Sequence, residues 1–169
     1  MPLSYDLACF YKLLLQAGYN KEVNSYINEI VSKNDELEGI NLDLVSNQLD
    51  LNRLISVLHN YIGENKINKD LVCNMLREFI FKKYSLNEIA LKDVAYSFMI
   101  FSNAMERDHG EYCNDFFIIG DYYHLGCDGI INIDKYTSIF RIFAYFLIQA
   151  FIWMLRQYLQ TDVTCAETQ

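Results

Sequence analysis

A single proline, at position 2, is the feature that most limits what this chain can become. Proline interrupts helices, and it gathers in the turns of many-stranded sandwiches. After position 2 the chain has none, and its seven glycines leave long stretches without a helix breaker. Such a chain favours helices over strands joined by frequent turns. With 169 residues, 52% of them hydrophobic, it can bury a core without a disulfide or a metal.

Apolar stripes at helical spacing bear this out along the chain. Ser4 or Asp6 can cap a first helix carrying Leu7, Phe10, Tyr11 and Leu14, and Gly18 stops it. Asn20 can open a second, with Val23, Tyr26, Ile27 and Ile30 on one side. Residues 32–39 are polar and acidic and read as a loop, while 41–48 fit a short helix. Asp50 can cap a stripe of Leu51, Leu54, Ile55, Leu58 and Ile62 that closes at Gly63. Asn68 can start another, bearing Val72, Met75, Leu76, Phe79 and Ile80. Ser85 and Glu88 then form an S-x-x-E pattern, the signature of a capping box. The helix it would open contains VAYSFMIF at 94–101, apolar nearly all round, which predicts a central position and an end near His109 and Gly110.

Residues 111–132 mix aromatics with three glycines and read as irregular or short strand. Asn132 or Asp134 can cap a long final helix to about Gln160, followed by a flexible polar tail at 161–169. Within it, 139–155 is strongly apolar but interrupted by Arg141 and Gln149. Only 14 residues separate Arg141 from Arg156, short of the roughly 20 that span a bilayer. The expectation is an all-α, single-domain bundle over 1–160, of six to seven helices around a central one near 85–106.

The formal net charge is −8, concentrated toward the two ends: −5 over residues 1–50, +1 over 51–110 and −4 over 111–169. A phosphate backbone would be repelled, which argues against nucleic acid, whereas a basic protein would be attracted. The cysteines, at 9, 73, 113, 127 and 165, are odd in number and scattered. The first residues lack a basic stretch followed by an apolar one, so no secretory signal is expected. Both features point to thiols in a reducing cytoplasm.

Chemistry-bearing patterns are sparse. His109, Cys113, His124 and Cys127 are spaced H-x3-C-x10-H-x2-C, a workable but unfamiliar arrangement for tetrahedral zinc. The chain has no G-x-S-x-G, P-loop, H-E-x-x-H or G-x-G-x-x-G. His59 reads as a surface histidine, and Asp108, His109 and Glu111 as a solvated turn at a helix end. These absences point away from an enzyme, and no cofactor is implied. Acids and aromatics interleave in two places. One holds Glu36, Glu38 and Asp43; the other holds Asp108, Glu111, Tyr112, Asp115, Asp121, Tyr122, Tyr123 and Asp128. Tyrosines anchor interfaces, and carboxylates beside them can pair with Lys or Arg of a basic partner.

Three resemblances follow. HLGCDGIINIDK at 124–135 resembles an EF-hand calcium loop through Asp128, Gly129 and Ile131. His124, Gly126 and Lys135 stand where that loop needs oxygen ligands, so the resemblance implies a calcium-free adaptor. The helix order, with an apolar helix at 85–105 and another at the C-terminus, resembles viral Bcl-2-like proteins. Their Asn-Trp-Gly-Arg signature is missing, since 86–89 reads LNEI; the implied function is a groove for an amphipathic helix. In overall character the chain resembles bacterial toxin-immunity proteins of the contact-dependent growth inhibition type: small, acidic, without catalytic motifs, and rich in Asn, Ile, Tyr and Lys. That resemblance implies a cytoplasmic inhibitor covering the active site of a basic, nuclease-type toxin domain.

Overall fold

The computed structural model describes residues 3–33, 38–110 and 113–130. They form seven helices, and no strand occurs among the described residues. In order these are α1 (Tyr5–Gln16), α2 (Asn20–Lys33), α3 (Ile40–Ser46), α4 (Leu51–Ile62), α5 (Lys69–Ser85), α6 (Leu91–His109) and α7 (Asn114–Cys127). The final helix and tail expected beyond position 130 lie outside the described residues. Backbone contacts divide the chain into two units, Met1–Asp121 and Tyr122–Gln169.

Three helix starts follow the caps expected of them. The Ser4 hydroxyl accepts from the Leu7 N–H at 3.2 Å, the Asp50 carboxylate from Arg53 at 3.1 Å, and the Asn68 amide oxygen from Leu71 at 3.2 Å. Each satisfies a donor that a first turn leaves without a partner, for about 1 kcal/mol. Asp6, the alternative first cap, instead accepts from the Asn68 N–H at 2.6 Å and ties the start of α1 to the start of α5.

The Ser85–Glu88 pattern does the opposite of what its letters suggest. Ser85 is the last residue of α5, and its hydroxyl donates back to the Lys82 carbonyl at 2.8 Å. Asn87 is left-handed, with φ of 57°, and Glu88 N–H bonds to the Lys83 carbonyl while Asn87 N–H bonds to that of Tyr84. This is a Schellman termination with asparagine in the place glycine usually takes. The Glu88 carboxylate pairs with Lys83 at 2.7 Å. Helix α6 starts later, at Leu91, where Asp93 accepts from the Ala90 N–H at 2.9 Å. The central helix therefore spans 91–109 rather than 85–106. It ends at Gly110, left-handed at φ 64°.

Two helices share the centre of the first unit. α1 packs against α2, α4, α5 and α6, burying Ala8, Cys9, Lys12, Leu13, Leu14 and Leu15. α6 buries Val94, Ala95, Phe98, Phe101, Ala104 and Met105 but leaves Tyr96 exposed, so it is not enclosed on every side.

Within the segment read as irregular or strand, residues 114–127 form helix α7. Phe116 stacks on Phe98 at 4.6 Å between centroids, and Phe101 and Phe81 complete the aromatic cluster around them. One turn on, Gly120 lies so close to α6 that a Cβ there would fall 2.2 Å from Met99 Cγ. Burying a phenylalanine is worth about 2–3 kcal/mol. That tertiary gain fixes as helix a stretch whose aromatic and β-branched residues locally favour strand.

Candidate functional site

The two sides of α7 differ in character. Cys113, Phe116 and Gly120 face the core. Outward stand Phe117 and Ile118, 40% and 39% exposed, flanked by the exposed carboxylates of Asp115 and Asp121. Arg77 of α5 reaches Asp115 at 3.6 Å, with its guanidinium 5.8 Å from the Phe116 ring centroid. In the second unit Tyr122 is 48% exposed and Asp128 is exposed, while Tyr123 is half-buried with its ring edge toward His124. A Schellman turn ends the helix, Ile130 N–H to the Leu125 carbonyl and Gly129 N–H to that of Gly126. The first four positions of the calcium-loop resemblance are thus helical, and Gly129 serves as the helix terminator. The rest of that loop, from 131 on, lies outside the described residues.

The described members of the other acidic group lie at α3. Glu38 and Asp43 are exposed beside and within α3, a helix that packs on α2 and α4. Glu36, Glu111 and Tyr112 lie outside the described residues.

Asp108 is the largest departure. Read from sequence as a surface carboxylate, it has a side chain only 10% exposed, and its Oδ2 lies 3.0 Å from Nζ of Lys12, which is 0% exposed. Arg107 grips the same carboxylate from outside, at 2.6 Å through Nε and 3.1 Å through an Nη. Burial alone would raise the pKa of Asp108. Hydrogen bonds from Arg107 and Lys12 overcome that and hold the carboxyl well below its ordinary range. Lys12 also lies 3.3 Å from His109 Nε2. An ammonium can only donate, so Nε2 is the acceptor in this contact.

Cys9 completes this cluster, with Sγ 3.6 Å from His109 Nε2 and 3.8 Å from Met105 Sδ. Lysine, aspartate, histidine and cysteine together invite a catalytic reading, but the electrostatics oppose it. Burial, with Asp6 and Asp108 adding to it and Lys12 opposing it, pushes the Cys9 thiol up to about 12. It stays protonated at neutral pH, and a thiol is a poor nucleophile. The cluster instead pins the end of α6 to the middle of α1. Sequence reading passed over Lys12. The signal was present, because Lys12 shares the helical spacing of Ala8 and Cys9 inside the apolar run ACFYKLLL.

Of the four zinc candidates, His109 and Cys113 belong to the first unit and His124 and Cys127 to the second. His109 lies by Cys9 and Lys12, and the Cys113 thiol meets Cys73 at 2.9 Å. His124 and Cys127 are exposed residues near the end of α7. No group of three or more His, Cys, Asp or Glu among the described residues could hold a metal ion. No described helix is long and apolar enough to cross a membrane.

No protein-family model, curated protein or solved structure matches this chain.

Proposed function

We propose that the protein is a non-catalytic, protein-binding inhibitor, in the manner of a cytoplasmic immunity protein that covers the active site of a basic, nuclease-type toxin. The observation that carries this reading is the outward side of α7. Phe117 and Ile118 stand exposed between the exposed Asp115 and Asp121. Large apolar groups beside carboxylates suit a partner whose catalytic Lys, Arg or His normally meets phosphate. The apolar groups supply the buried contact area, and the acids supply register and fast association. The net charge of −8 acts in the same direction at longer range.

The test is protection. The chain is co-expressed with a toxin domain encoded directly upstream of its own gene, and survival is scored. Wild type should restore growth, and the combined change Asp121→Asn, Tyr122→Ala, Asp128→Asn should abolish protection while leaving the helical signal intact. Affinity for the purified toxin should fall as salt rises. Failure of the wild type to protect would defeat the reading. Undiminished protection by the triple variant would place the binding surface elsewhere.

A further inference from the structure

The thiols of Cys73 and Cys113 lie 2.9 Å apart, Sγ to Sγ, although 40 positions separate them in the chain. Both are buried, and neither belongs to a disulfide. Cys73 sits on α5, and Cys113 stands at the entry to α7, where its carbonyl accepts from the Ser102 hydroxyl of α6 at 3.3 Å. The contact therefore sits where α5, α6 and α7 meet. A disulfide bond is about 2.05 Å long, so closing one needs an approach of less than an ångström. The surrounding packing has already met the cost of bringing distant residues together.

We propose that Cys73 and Cys113 are a redox pair that closes to an intramolecular disulfide by exchange with a low-molecular-weight disulfide of the glutathione class. One protein thiol loses its proton to solvent, and its thiolate attacks a sulfur of the small disulfide. That S–S bond breaks, one small thiolate leaves, and a mixed disulfide remains on the protein. The second protein thiol loses its proton and attacks the protein sulfur of the mixed disulfide, expelling the other small thiolate. Two protein thiols are oxidised, and one small disulfide is reduced to two thiols.

The environment decides the rate. The Cys113 hydrogen bond, burial and the Cys113 charge all hold the Cys73 thiol protonated, while Arg77 and Lys69 work in the other direction. Attack by a bulky reagent therefore waits on local opening of this corner. Once formed, the bridge staples α5 to the start of α7, the helix whose outer side carries Phe117, Ile118 and the two carboxylates.

The experiment uses the full-length wild-type protein. It is equilibrated across ratios of reduced to oxidised glutathione, quenched with acid, alkylated and mapped by mass spectrometry. Trypsin yields Cys73 on peptide 70–77 but leaves Cys113 and Cys127 together on 108–135. A second cut with chymotrypsin separates those two. The expected result is a species lighter by two hydrogen atoms that carries a Cys73–Cys113 link. It should appear at a single midpoint ratio and melt about 5–10 °C above the reduced protein. Cys73→Ser should remove both the link and the thermal shift, while Cys127→Ser should keep both. Recovery of Cys73 as an alkylated thiol or a glutathione adduct at every ratio would overturn the proposal. So would a link that forms only in urea. Neither of these outcomes depends on a variant that folds.

Discussion

Removing the Asp108 carboxylate tests most directly how α6 is held against α1. At 3.0 Å from Lys12 and an effective dielectric of about 20, the pair attracts by about 5 kcal/mol before desolvation. Much of that is offset by taking both ions out of water. Truncation is asymmetric, however. Asp108→Ala leaves a fully buried ammonium with, among the described residues, only the His109 ring as acceptor, which should cost about 3–5 kcal/mol. Lys12→Met leaves Asp108 with Arg107 still on it at 2.6 Å, so its cost should be smaller, about 1–3 kcal/mol. The double variant, which removes both charges and keeps the methionine stem in the core, should be more stable than Asp108→Ala alone. For a chain of this size the Asp108→Ala loss corresponds to a fall in Tm of about 6–20 °C. Urea unfolding followed by far-ultraviolet circular dichroism measures all four proteins. If Asp108→Ala costs under about 1 kcal/mol, or the double variant is the least stable, the buried pair does not hold the two helices as argued.

The same carboxylate sets a pH dependence. Its folded-state pKa is depressed below the ordinary 3.8, so its stabilisation is present above that value and is lost as pH falls through the lower folded one. Urea midpoints between pH 7 and pH 2.5 should therefore fall more steeply for wild type than for Asp108→Ala. Gly120→Ala should destabilise by about 1–3 kcal/mol because its methyl group collides with Met99; adding Met99→Ala should reverse part of that loss, and an unchanged midpoint for the single variant would contradict the close packing of α7 on α6. At pH 8 an alkylating reagent should modify exposed Cys127 quickly and Cys9 far more slowly, since burial pushes the Cys9 thiol up to about 12; equal rates would contradict the buried cluster.

The sequence by itself determined the helical class and three helix starts. Both depend on information within a few residues. An N-cap needs one side-chain oxygen and the N–H three positions on, so Ser4, Asp50 and Asn68 are legible locally. Apolar spacing likewise marked α1, α4 and α5 before any contact was known. The Ser85–Glu88 pattern marks the limit of this reading. The same letters can open a helix or follow the end of one, and here the left-handed turn at Asn87 ends α5.

Only the tertiary structure decided the rest. Whether 114–127 is helix or strand depended on the fit of Phe116 against Phe98 and of Gly120 against Met99, across a distance no local pattern reports. The fates of Asp108 and Lys12 were decided the same way. Asp108 reads as a surface acid and Lys12 draws no reading of its own, yet each is an internal ion because its partner, 96 positions away in the chain, lies 3.0 Å away in space. A short-range code can place charges on a helix, but which charges meet, and whether water reaches them, is a property of the packed whole.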